Sequence, residues 1–197
     1  MHNLAASFVL GYHGCDATVA ENLLKNEPFI HSENAYDWLG SGIYFWEANP
    51  HRALSWAREN AARKAAGGVV LEPAVIGAVV DLGFCLDLIT GNGIAAVETA
   101  HHGLTKLMAG IPADLPVNSG GGDLRLRNLD CAVVNFLHST RAERNLTEFD
   151  TVRGVFSEGK QIYPTAGFRG KTHIQICVRK PAMIKGVFRV PEDHFSS

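Results

Sequence analysis

An α+β fold is what the sequence predicts, and two observations predict it: short β-rich runs open and close the chain, and helical periodicity fills much of the middle. The most apolar stretch is interrupted by Glu72, Pro73 and Asp81, so it does not read as a membrane span. A chain of 197 residues, 46% hydrophobic and 19% charged, suits one domain with a substantial core.

The elements follow in order. Residues 6–12 read as a short buried strand ending on "GYHG". "CDATVAENLLKN" is a helix, with Asp16 as N-cap and Val19, Ala20, Leu23 and Leu24 at helical spacing. "HSENAYDWLGSG" is a loop and "GIYFW" a strand. "NPHRALSWARENAARKA" is a helix with Asn49 as N-cap and Pro50 at its first position. Its apolar face is Ala53, Leu54, Trp56, Ala57 and Ala61, and Gly67 and Gly68 end it. "AVIGAVVDLG" is apolar enough for a central strand, and "FCLDLI" is a second strand. Residues 93–110 and "LDCAVVNFLHSTRAERN" are helical, separated by a turn-rich loop containing Gly120, Gly121 and Gly122. "TVRGVFSEG", "KQIYP", "THIQICVR" and "IKGVFRV" read as closing strands. No repeat or linker divides residues 1–197, so one domain is expected.

The net charge of −2 gives no global attraction to nucleic acid. Its distribution is uneven: residues 1–120 carry 6 Lys+Arg against 12 Asp+Glu, and residues 121–197 carry 12 against 8. A basic C-terminal half can face phosphates, or it can be a solvated surface; the latter is expected of Arg125, Arg127, Arg141 and Arg144, which are also the candidate contacts if the acceptor is a nucleic acid. Cys15, Cys85, Cys131 and Cys177 form no CxxC pair, which argues against a zinc site or a disulfide framework. Cys85 and Cys177 lie in apolar runs and read as buried thiols. The N-terminus lacks the basic and long apolar regions of a signal peptide, so a cytoplasmic location without membrane contact is expected.

Two stretches carry candidate chemistry. Tyr12-His13-Gly14 closes the first strand, where glycine permits close backbone approach and histidine can bond a hydroxyl. As an isolated tripeptide it reads first as a structural histidine with an internal partner. In "GSGIYFW", two glycines make a tight loop before Tyr44, whose ring suits either stacking or core packing.

In their order and spacing the two stretches resemble the poly(ADP-ribose) polymerase-like ADP-ribosyltransferases. "YHG", a short helix, "GSGIYF" and a helix beginning near "RAL" carry the resemblance. It continues at "VIGAVVDLG" and "THIQICVRKPAMIKGVFRV", while residues 91–150 match nothing in the pattern and stand as a mainly helical insertion. The resemblance implies an ADP-ribosyltransferase-like fold, with two packed antiparallel or mixed sheets and flanking helices. It also implies NAD as co-substrate: His13 on the 2′-hydroxyl of the nicotinamide ribose, Gly14 on the carboxamide, and Tyr44 against the nicotinamide. Tyr12 flanks this group, and Trp56 lies one position from the family's second aromatic. Losing nicotinamide builds positive charge on the sugar, so the leaving group must be gripped and that charge stabilised.

The family's polymerases carry a glutamate at the start of the late strand; here that position is His173, followed by Gln175. Polymer elongation is therefore not expected. His173 and Gln175 share one strand face and stand as catalytic substitutes, and Glu158 in "VFSEGK" can bring a carboxylate from a neighbouring strand or loop. The expected activity is single ADP-ribose transfer to a protein or nucleic-acid acceptor. By analogy with small transferases of this kind, it suits a toxin or phage-defence effector with an antitoxin or immunity partner. Two alternatives stand beside it: a catalytically silent NAD- or ADP-ribose-binding module, and a relative of NAD-dependent RNA 2′-phosphotransferases. His101-His102 lacks a third metal ligand, and no "GK[ST]" follows Gly120–Gly122 to make a phosphate loop.

Overall fold

The computed structural model describes residues 8–63 and 68–195. The first two residues of the strand expected at 6–12, and Gly67 at the expected end of the second helix, lie outside them. The first strand, β1 (Phe8–Asp16), runs straight through the "YHG" stretch instead of stopping on it. Glycine makes this possible: a Cβ on Gly11 would sit 2.8 Å from Phe45 Cβ, and one on Gly14 would sit 2.3 Å from the Ala53 carbonyl oxygen. The close approach of neighbouring elements selects these two glycines.

Helix α1 (Ala17–Leu24) is capped as expected by Asp16, which accepts from Thr18 N at 3.0 Å. The same carboxylate accepts from Leu71 N and Glu72 N, and these backbone bonds hold its pKa down to about 2. Strand β2 (Ile43–Glu47) leads to α2 (Pro50–Ala62), capped by Asn49 as expected. Then come β3 (Pro73–Asp81), β4 (Cys85–Asp87) and α3 (Gly91–Met108). The hairpin β5 (Asn118–Ser119) and β6 (Leu126–Arg127) precedes α4 (Asn128–Glu143). The chain closes with β7 (Thr151–Phe156), β8 (His173–Val178) and β9 (Ile184–Arg189). The expected strand "KQIYP" is absent; its backbone makes only an isolated bridge, Gln161 to Arg169. Pro164, which has no N–H to give a ladder, and the left-handed Thr165 break it.

The fold is α+β, but in place of two packed sheets the described residues form one seven-stranded mixed sheet, ordered β4-β7-β8-β2-β1-β3-β9. β2 pairs with both β1 and β8 and so joins what would otherwise be two sheets. All pairs are antiparallel except β4–β7, and the second sheet is only the β5–β6 hairpin. "AVIGAVVDLG" is paired on both sides, by β1 and β9. Side chains alternate between the two faces. Ile43, Phe45, Ala78, Val80, Ile176 and Val178 pack one face. On the other face, Tyr12 and Trp46 pack against Ala53 of α2, while Leu39, Val152 and Cys177 pack with Val134 of α4. Helix α3 reaches this layer through Ala100 and Leu104 against Val133. All four cysteines are free; Cys177 is buried as expected, and Cys85 only partly.

Candidate functional site

On the α2-side face, three elements converge beside β8. Arg52 stands in the first turn of α2, where a cation opposes the helix dipole and needs compensation. Glu158 supplies it from the segment after β7: its Oε2 accepts from Arg52 Nη2 at 3.1 Å, and both side chains are at least nine-tenths buried. The backbone around Glu158 is fixed. Its carbonyl accepts from Lys171 N at 2.9 Å, Gly159 takes a left-handed turn at φ 83°, and Gly159 N donates to Asp123. Glu59 extends the charge group, 3.8 Å from Arg52 Nη1 and bonded to Lys171 Nζ at 2.7 Å.

His173 opens β8 with its Nδ1 3.6 Å from Glu158 Oε2 and 2.7 Å from the Lys171 carbonyl oxygen. A carbonyl only accepts, so Nδ1 carries the proton and donates. Burial lowers the imidazole pKa, with Arg52 and Arg127 adding to that, against the Lys171 carbonyl and Glu158. The ring is therefore neutral at pH 7, and Nε2 keeps its lone pair. Trp38 lies nearly parallel to it at 6.2 Å, with Phe156 at 5.8 Å and Trp46 at 6.4 Å. Arg127 stacks over Trp38 and Phe156 at 4.4 and 5.0 Å, and Trp38 Nε1 donates to the Arg125 carbonyl.

Several buried polar atoms here have no hydrogen-bond partner among the described residues: His173 Nε2, Trp46 Nε1, Arg127 Nε, and Arg52 Nε and Nη1. Folded proteins rarely leave such groups unmet. One carboxylate, one imidazole lone pair and a set of N–H donors between aromatic walls suit an oxygen-rich ligand. A cleft of about 390 Å³ between α3, α4 and β7 adjoins this group through Trp38, Arg127 and Phe156.

The structure thus brings together His173, Glu158 and, two residues along the same face, Gln175, which pairs across to Trp46 and Gly154. Tyr12 and Trp56 join the group through Trp46, whose ring is 5.7 Å from Trp56. Tyr44 shares the face but faces α4, and its hydroxyl is committed, donating to the Gly40 carbonyl at 2.6 Å and accepting from Leu39 N at 2.9 Å. His13 is on the opposite face, against Phe29 and Phe45 at 5.6 and 5.7 Å, where burial lowers its pKa.

His13 nevertheless marks a break in the sheet. Leu10 O accepts from Ala48 N, so the backbone polar groups of Leu10, Tyr12 and Gly14 all face β2. The ladder to β2 ends at Tyr12–Trp46, and beyond it His13 Nδ1 donates to the Tyr44 carbonyl at 2.8 Å in place of a backbone N–H. The N–H and C=O of Gly14 are left facing the side where the ladder has stopped. They can pair with an amide, and the cradle against Ala53 admits no side chain.

Arg52, Trp38, Trp46 and Arg127 are site residues that sequence reasoning missed. For Arg52 a signal existed, a lone cation in the first turn of a helix; for Trp38, in a polar loop, none did. Arg127 and Arg141 are not on a solvated face as expected: Arg141 stacks on Phe149 at 4.5 Å and bonds the Thr147 carbonyl, while Arg125 and Arg144 are exposed. Among the described residues no His/Cys/Asp/Glu group could hold a metal, and no helix is long and apolar enough to cross a membrane.

No family model and no solved structure matches the chain. It is similar to the uncharacterized protein MJ0359 of Methanocaldococcus jannaschii, 25% identical over 198 residues, covering 88% of this chain and 83% of that protein.

Proposed function

We propose that the protein is an NAD-dependent mono-ADP-ribosyltransferase of the ADP-ribosyltransferase-like fold, moving one ADP-ribose to an acceptor and releasing nicotinamide. The observation that carries this reading is the position of Glu158. The strand start that resembles the family's catalytic strand carries His173 instead of glutamate, and a buried carboxylate from the neighbouring segment lies 3.6 Å from that histidine. The backbone of Gly14 supports the same reading, since its N–H and C=O can hold a carboxamide.

NAD supplies a glycosidic bond whose leaving group is already a stable amide-bearing ring. Glu158 accepts a ribose hydroxyl and stabilises the positive charge that grows on the sugar as nicotinamide departs. Arg52 holds Glu158 in place through the buried charge pair at 3.1 Å. His173 Nε2, neutral and unprotonated, takes the proton from the acceptor as the acceptor replaces nicotinamide. Gln175 and the indole N–H of Trp46 orient the sugar, and Trp38 and Phe156 keep water out.

Incubation with NAD labelled in its ADP-ribose half, in the presence of cell extract, tests this. Label is expected on a protein or nucleic-acid acceptor, and Glu158→Gln is expected to abolish it. NAD binding with neither transfer nor nicotinamide release would replace the enzyme reading by that of a binding module.

A further inference from the structure

A second cleft, of about 440 Å³, lies where the latter half of α4 meets the Ser41 turn and the end of β8. It is six residues along β8 from His173, or roughly 20 Å at strand rise. His138 and Arg179 form part of its wall. His138 is 4% exposed, and neither of its ring nitrogens has a hydrogen-bond partner among the described residues. Arg179 Nη1 donates to the Ser41 carbonyl at 3.1 Å, which uses one of five N–H donors.

The other polar walls are already engaged. Asn135 Oδ1 accepts from Ser41 N at 3.0 Å, and Ser139 Oγ donates to the Asn135 carbonyl at 3.1 Å. The charges acting on His138 are both guanidinium groups, Arg179 and Arg141. The carboxylate of Glu148 stands on the exposed rim and acts on Arg179. Apart from Glu148 on the rim, none of the described residues lining the cleft is acidic, and the groups acting on His138 deeper in are both cations.

We propose that this cleft binds a small oxyanion, a carboxylate or phosphate group, held by Arg179 and by a ring N–H of His138. The charge-assisted bonds of a guanidinium supply the strength, and the imidazole N–H supplies direction. The site is independent of the Glu158 centre and survives if the transferase reading fails.

Proton–carbon NMR of the histidine rings tests it, with the His138 signal assigned by its loss in His138→Gln. Inorganic phosphate and acetate are titrated separately at constant ionic strength set with chloride. A saturable shift of the His138 signal with either anion, while those of His13 and His173 stay fixed, is the expected result. Response to only one anion names the source of the oxyanion. Arg179→Gln, checked for folding by the unchanged His13 signal, is expected to weaken the response at least tenfold. No saturable shift with either anion, or an undiminished one in Arg179→Gln, overturns the proposal.

Discussion

Arg52 and Glu158, 106 residues apart in sequence, meet at 3.1 Å with their side chains 10% and 7% exposed. A charge pair buried this far binds the start of α2 to the segment after β7. Removing one partner strands the other, which costs about 3–5 kcal/mol in buried pairs. Glu158→Gln, which keeps shape and loses charge, should fall in the lower part of that range. Arg52→Met should fall in the upper part, since it leaves a carboxylate unpaired, and combining Arg52→Met with Glu158→Gln should cost clearly less than the sum of the two single losses. Urea denaturation of the four proteins measures this; additive losses in the double variant would show that the charges do not interact.

Gly14→Ala should be severely destabilising, by more than about 2 kcal/mol, because the new Cβ meets a backbone oxygen rather than a movable side chain. The clash forces β1 and α2 apart. A thermal midpoint within about 1 °C of the parent would contradict the close approach of these elements.

Three histidines, His13, His138 and His173, are held with lowered pKa, that of His138 at about 3, and burial is the main cause in each. A histidine whose folded pKa lies below its unfolded value of 6.5 binds fewer protons when folded. Its contribution is fully present above 6.5 and is lost as pH falls towards the folded pKa. Stability should therefore decline from about pH 6.5 downward, before ordinary carboxylates titrate near 4.5. Denaturation midpoints at about pH 7 and pH 5 measure the slope. His138→Gln should flatten it, and an equal slope in that variant would place the titrating groups elsewhere.

Trp38 stacks beside the His173 ring at 6.2 Å, and Arg127 stacks over the Trp38 ring at 4.4 Å. Trp38→Ala should open the way to Nε2, so that diethyl pyrocarbonate modifies His173 faster in the variant than in the parent. Peptide mass spectrometry reads this directly, and equal modification in both proteins would mean that Trp38 is not the cover.

Much of the architecture was legible because local rules set it. Asp16 and Asn49 are caps by residue type and position, and the apolar run around Val79 reads as a strand paired on both sides. The face of His13 was legible in principle: alternation along one strand must put it opposite Tyr12 and Gly14. Treating "YHG" as a strand end hid this, and the end was misplaced because glycine suggested a stop where it serves close packing. The two packed sheets failed because pairing of β2 with both β1 and β8 is a long-range fact that no local pattern encodes. His173, Gln175 and Glu158 were each visible as candidates, but the meeting of Glu158 with Arg52 depends on a segment that folds back across the sheet. Trp38 sits in a polar loop whose composition says only that it is a loop.

The most direct test of the central claim is the rate of nicotinamide release from NAD by the purified protein, beside Glu158→Gln and His173→Ala. The parent should release nicotinamide, Glu158→Gln should lose at least about a hundredfold, the scale of a lost transition-state charge contact, and His173→Ala should lose transfer to acceptor more than release. No release by the parent, or an undiminished rate in Glu158→Gln, would contradict the account.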